Sequence, residues 1–227
     1  MTDEVRSLIA EFLGTFILVL VGTTVIVSTG GGSAPVLLIG LGFGLALMAG
    51  LYAFGGISGG HFNPAVSLAA MLDRRIDIAT MIQYWIVQLA GAVAGSLAVL
   101  VAARTDGQEL VAQTVTGFAD GLTKTAFLTE VYVTAIFVMV ILAATKKAGL
   151  TAGAIAGISL TLAASHFAAL TISGASLNPA RSFGPALIGN EWEGFWLYVV
   201  APLVGAIAGW ILHTLATTGK VEIPDVT

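Results

Sequence analysis

Six stretches of the chain run for ~20 residues each with almost no charge, at roughly 8–29, 35–56, 79–103, 125–145, 150–170 and 195–216. Each is long enough to cross ~30 Å of hydrocarbon as a helix. The pattern predicts an all-α membrane protein with six transmembrane helices, residues 1–227 forming one domain. The first run comes after MTDEVRS, carries Glu11 early and ends in GGGS without a small-residue cleavage site. It reads as a retained span and not as a removed signal peptide.

Two turn-prone segments interrupt this apolar pattern. SGGHFNPAVS occupies residues 58–67 and SGASLNPARS residues 173–182, with Ser, Gly and Asn-Pro-Ala at matching places. After each triplet the chain continues as VSLAAML or RSFGPALI, mostly apolar but only ~8 to 10 residues long, or ~12 to 15 Å as helix. That is half a bilayer. Asn is a favoured N-cap, and Pro suits the first helical position because its missing N–H would be unpaired there anyway. The triplets Asn63-Pro64-Ala65 and Asn178-Pro179-Ala180 therefore predict two re-entrant half-helices. The residues before them are expected to be extended, with the carbonyls of Gly59, Gly60, His61 and Phe62, and of Gly174, Ala175 and Ser176, facing a water-filled pore. An unpaired carbonyl in hydrocarbon would cost several kcal/mol.

Sliding the chain against itself extends the match. AEFLGTF near residue 10 meets TEVYVTA near 129, pairing Glu11 and Thr15 with Glu130 and Thr134, and QLAGAVAG at 88–95 meets PLVGAIAG at 202–209. The halves run roughly 8–103 and 125–216. Each holds three spans, so the second enters the membrane from the opposite face and the repeat is inverted. The half-helices then meet by their N-termini near the midplane. Each Asn caps with its side-chain oxygen and is expected to point its NH2 into the lumen. Backed by two helix dipoles of roughly half a charge each, this arrangement would orient water by its oxygen and repel cations.

Composition narrows the remaining choices. The chain is 57% hydrophobic and 10% charged, with a mean hydropathy of +0.96, against roughly 25% charged in soluble domains. It has no cysteine, which excludes disulfides, thiolate nucleophiles and Cys-based metal sites. The three histidines are far apart in sequence, no carboxylate spacing supports a metal site, and no Ser-His or paired-carboxylate cluster supports an enzyme. No cofactor is expected, and no basic tract invites nucleic acid. Arg6, Arg74, Arg75, Lys146, Lys147 and Lys220 fall on one side of a six-span arrangement and Arg104 and Lys124 on the other, so both termini are expected in the cytoplasm. Arg181 alone belongs to no loop. A charge at membrane depth costs at least ~2.5 kcal/mol and tends to be functional.

This constellation resembles the aquaporin and glycerol-facilitator family: six spans, an inverted repeat, two Asn-Pro-Ala boxes, Glu in spans one and four, and Arg after the second box. The resemblance covers roughly residues 8–216. It implies an aromatic/arginine selectivity filter at Phe43, His166, Ala175 and Arg181, with Glu11 and Glu130 accepting hydrogen bonds from the backbone of the re-entrant loops. It also implies a homotetramer in the lipid bilayer of the plasma membrane, with one pore per subunit. His166, Ser182 and Ala175 resemble the water-selective branch, where glycerol channels usually carry Gly, Asp and Phe. The methyl group of Ala175 leaves room for hydrogen peroxide, ammonia or other small neutral solutes to pass beside water. The alternatives are a glycerol or small-solute facilitator and an ion-coupled secondary transporter. The latter also uses inverted repeats and broken helices and would couple through Glu11 or Glu130.

Overall fold

A computed structural model of the chain describes residues 1–30, 35–103, 106–146 and 149–217. Arg104, Lys147 and Lys220, which entered the orientation argument, lie outside the described residues. Helices α1 (Asp3–Ser28), α2 (Val36–Ser58), α4 (Ile78–Ala102), α6 (Thr123–Ala144), α7 (Ala152–Ser173) and α9 (Phe195–Thr217) are the six long enough and apolar enough to cross a membrane. Between them lie α3 (Pro64–Leu72), α8 (Pro179–Gly189) and a short α5 (Gly107–Ala112). No strand occurs among the described residues.

The spans match the apolar runs to within a few residues, except at the start of the chain. There α1 begins about five residues earlier than the apolar pattern, because Thr2 caps it by accepting from Val5 N and Asp3 and Glu4 occupy its first turn. Polar residues can extend a helix beyond the hydrocarbon when its N-terminus is capped and its dipole met by acidic side chains. The half-helices have nine and eleven residues. At ~1.5 Å per residue neither crosses a bilayer.

Packing repeats between the halves. A Cβ on Gly91 or Gly95 of α4 would lie 2.4 or 2.9 Å from the Phe12 or Phe16 carbonyl of α1; on Gly205 or Gly209 of α9 it would lie 2.6 or 2.5 Å from the Val131 or Ala135 carbonyl of α6. Both GxxxG runs therefore bring helix backbones into direct contact, as small residues do in membrane bundles. Outside this symmetry, Arg75 fastens the turn after α3 to the end of α6. Its guanidinium donates to Asp73 at 2.7 Å, to the Leu142 carbonyl at 3.0 Å and to the Thr145 hydroxyl.

Candidate functional site

The two re-entrant loops are each held by one buried carboxylate. Glu11 Oε1 accepts from Ser58 Oγ at 2.6 Å and His61 N at 2.9 Å, while Oε2 accepts from Phe62 N at 2.6 Å and Gln88 Nε2 at 2.8 Å. Glu130 Oε1 accepts from Ser173 Oγ at 2.7 Å and Ser176 N at 2.8 Å, and its Oε2 from Leu177 N at 2.8 Å. Tyr84 and Tyr198 donate to the carbonyls of Ser58 and Ser173 at 3.0 and 2.8 Å, clamping the ends of α2 and α7 where the loops begin.

The loops are not the simple extended segments expected from GGHF and GASL. Backbone φ is positive at Gly59, Gly60 and Phe62 (95, 67 and 49°) and at Gly174, Ala175 and Leu177 (77, 48 and 53°). Left-handed backbone costs a residue with a side chain roughly 1–2 kcal/mol. The carboxylate bonds to the amides around Phe62 and Leu177 offset that cost, and the sharp reversal exhausts the chain's helical run at the Gly59 and Gly174 caps.

Each Asn caps its half-helix as expected: Asn63 Oδ1 accepts from Ala65 N at 2.8 Å, and Asn178 Oδ1 from Ala180 N and Arg181 N at 2.9 and 3.2 Å. The amide nitrogens do not face the lumen alone. Asn63 Nδ2 donates to the Leu177 carbonyl at 2.8 Å, and Asn178 Nδ2 to the Phe62 carbonyl at 2.9 Å. One hydrogen of each NH2 is thus committed across the repeat interface, and one remains for the lumen. The Phe62 carbonyl, expected to line the pore, is engaged by Asn178 instead, because the two loops meet closely enough for cross-pairing.

Phe43, His166 and Arg181 converge. The Phe43 and His166 rings stack with centroids 4.6 Å apart and planes 17° from parallel. The Arg181 guanidinium carbon lies 4.6 Å from the Phe43 centroid, within range of a cation–π contact. Phe43 fits there because α1 carries Gly22, where a Cβ would lie 2.2 Å from the ring. Arg181 donates to the Thr114 carbonyl at 3.1 Å, and its Nε has no partner in the protein. His166 Nδ1 lies 2.9 Å from the Leu162 carbonyl, so it carries the proton; Nε2 is then a bare acceptor, and it too is unpartnered. A donor and an acceptor left open at one level can both be satisfied by a water molecule. Ala175 is not part of this lining. It is fully buried in the apolar cluster that also holds Phe43, Phe62 and Leu177.

The cavity at this level measures about 10 Å³, at the lower limit of the ~10–15 Å³ that one water requires. It is lined by the polar residues His61, Asn63, Ser176, Asn178, His166 and Arg181 and by apolar ones that include Leu18, Leu47, Phe137 and Leu162. These four form repeat-related pairs: Leu18 with Phe137 at the offset that pairs Glu11 with Glu130, and Leu47 with Leu162 at the offset that pairs the Asn residues. Toward the Arg75 end the pore widens to a cavity of about 440 Å³. The repeat partners of Phe43, His166, Ala175 and Arg181 are Ile158, Leu51, Gly60 and Val66, and all four line that wide cavity. The same scaffold position is a constriction in one half and a vestibule in the other.

Residues 1–213 match the family model described as major intrinsic protein. The chain belongs to the major intrinsic protein family. Among relatives of this family, it is 46% identical to the glycerol uptake facilitator protein-like 6 of Lactiplantibacillus plantarum, over 89% of this chain and 94% of that one. It is 37% identical to mouse aquaporin-4, over 96% of this chain and 69% of that one. The structure aligns with the X-ray structure of the aquaglyceroporin from Plasmodium falciparum at a TM-score of 0.81 and 26% identity, covering 92% of this chain and 95% of that one.

In this major intrinsic protein, sequence reasoning missed three sets of site residues. Tyr84 and Tyr198 could have been found, since the offset that aligns Gly91 with Gly205 also aligns them. So could the Leu18–Phe137 and Leu47–Leu162 pairs. Thr114 could not. It lies in the connection after α5, gives Arg181 only a backbone carbonyl, and has no counterpart in the other half. The same connection reaches inward beside the second half-helix, with Thr116 Oγ1 donating to Ser182 Oγ at 2.9 Å.

Proposed function

We propose that this channel is a passive water pore whose narrow point is the Phe43, His166 and Arg181 constriction. The observation that carries the reading is the 10 Å³ cavity, with one open acceptor at His166 Nε2 and one open donor at Arg181 Nε. A water donates to the first and accepts at the second, beside the Phe43 ring that packs against both residues. The fixed guanidinium charge and the two half-helix N-termini oppose cations and protons. The Arg75 end is assigned to the cytoplasm from the Lys and Arg distribution, and the plasma membrane and a homotetramer are the expected setting. Hydrogen peroxide and ammonia are expected to pass beside water as small neutral solutes.

Glycerol facilitation is the second reading, favoured by the name of the 46% identical Lactiplantibacillus plantarum relative. The two are separated by stopped-flow light scattering on proteoliposomes. Rapid osmotic shrinkage with glycerol flux near that of empty liposomes is expected. Glycerol permeation rivalling water would reject water selectivity.

A further inference from the structure

His61 stands where the wide cavity passes into the constriction and lines both. Its ring packs edge-on against Tyr84 with centroids 5.3 Å apart. Nδ1 lies 3.1 Å from Ser67 Oγ, and Nε2 lies on the side of Gly59, another lining residue of the wide cavity. Which nitrogen carries the proton decides whether the lumen meets a donor or an acceptor.

A chain of hydrogen bonds answers this from its far end. Glu11 accepts from two backbone amides and from Ser58, as a carboxylate does, so Gln88 must present its NH2 to Glu11 Oε2, 2.8 Å away. Reversing that amide would set its oxygen against the carboxylate. Gln88 Oε1 is instead left without a partner, the smaller cost at ~1–3 kcal/mol. The same Nε2 donates to Ser67 Oγ at 2.9 Å. Ser67 is fully buried, and its own hydroxyl hydrogen has His61 Nδ1 as the acceptor within reach. Nδ1 is therefore bare.

We infer that Gln88 and Ser67 are positioning residues that lock His61 as the Nε2–H tautomer, making its ring a fixed lumen donor for passing water. This rests on the water-pore reading for its role in transport. The two pore histidines then have opposite polarity. His166, whose Nδ1 donates to the Leu162 carbonyl, offers water an acceptor; His61 offers a donor. Water entering the constriction from the Arg75 end is met by its oxygen at His61, in the sense that the Asn63 amide and the half-helix dipole continue. The second half makes no equivalent donor, since Ser176 and Pro202 stand at the positions of His61 and Gln88.

The test is 15N solid-state NMR of the full-length protein, histidine-labelled and reconstituted in lipid bilayers, with the side chains assigned through their backbones. The expected spectrum shows His61 with bare Nδ1 and protonated Nε2, and His166 the reverse. In Ser67→Ala the lock is gone, so the two His61 nitrogens move toward averaged shifts. Stopped-flow measurements on the same liposomes show a loss of water permeability. A bare His61 Nε2 in the unmodified protein would overturn the assignment without any variant having to fold. An unchanged His61 spectrum in Ser67→Ala would overturn the role of the chain, and a changed spectrum with unchanged water flux would overturn the role of the donor. Glycerol flux rivalling water would remove the water-pore reading while leaving the tautomer standing, so the two failures are distinguishable.

Discussion

Asn178 donates through Nδ2 to the carbonyl of Phe62, 2.9 Å away and 116 positions earlier in the chain. Asn63 returns the bond to Leu177 at 2.8 Å. The centre of the pore is thus cross-stitched between the two halves. Asn178→Ala removes the helix cap on the Ala180 and Arg181 amides, about 1 kcal/mol, and leaves the Phe62 carbonyl without a partner, at roughly 1–3 kcal/mol. A fall of about 2–4 kcal/mol in stability is expected from these terms together, seen as a lower thermal midpoint in detergent, along with reduced water flux. Asn178→Ser keeps a capping oxygen without adding charge and loses the cross-bond. Its midpoint should fall between those of the unmodified protein and Asn178→Ala.

Arg181 and Val66 occupy the same position in the two halves, and only Arg181 narrows its end of the pore. Arg181→Val should make the constriction resemble the vestibule. Glycerol and proton leak are expected to rise about 10-fold, the change that ~1.4 kcal/mol of lost barrier produces. Glycerol swelling assays and a pH-sensitive dye inside the liposomes measure the two leaks. Unchanged leak in both would mean that the charge at position 181 does not set selectivity.

Glu11 and Glu130 are spent on loop amides and hydroxyls. Glu130→Ala would orphan Ser176 N and Leu177 N at roughly 1–3 kcal/mol each and leave Ser173 Oγ to donate only to the Ala169 carbonyl at 3.4 Å, and no folded protein is expected in the membrane fraction. Glu130→Gln retains one acceptor oxygen and should fold with a lowered thermal midpoint. Saturable uptake driven by a proton gradient and abolished in Glu130→Gln would instead favour the ion-coupled transporter.

Gly205 of α9 has the Val131 carbonyl where its Cβ would go, at 2.6 Å, whereas Gly157 of α7 has nothing within 4 Å. Gly205→Ala should cost about 1–3 kcal/mol by forcing α6 and α9 apart. Gly157→Ala should be neutral or stabilising by up to about 1 kcal/mol, since Ala is the better helix former. Thermal midpoints of the pair decide it, and equal losses at both sites would count against backbone contact as the role of Gly205.

Much of this protein is written in local chemistry that needs no neighbours. Runs free of charge give the six spans, because hydrocarbon tolerates little else. Asn63-Pro64 and Asn178-Pro179 begin half-helices because cap and first-turn chemistry act within three residues. The repeat made Glu11, Glu130 and the GxxxG runs legible, since an internal copy is a comparison the chain carries with it. Tertiary structure decided what depends on distance across the fold. It committed one hydrogen of each Asn amide to the opposite loop, brought the Thr114 carbonyl from the α5–α6 connection to Arg181, and left Ala175 outside the constriction lining. It also made the cavity narrow at Arg181 and wide at its repeat partner Val66, although both sit at the same register. Sequence periodicity specifies which face a side chain takes; the backbones it meets there come from remote parts of the chain, and their approach is fixed only when the whole bundle packs.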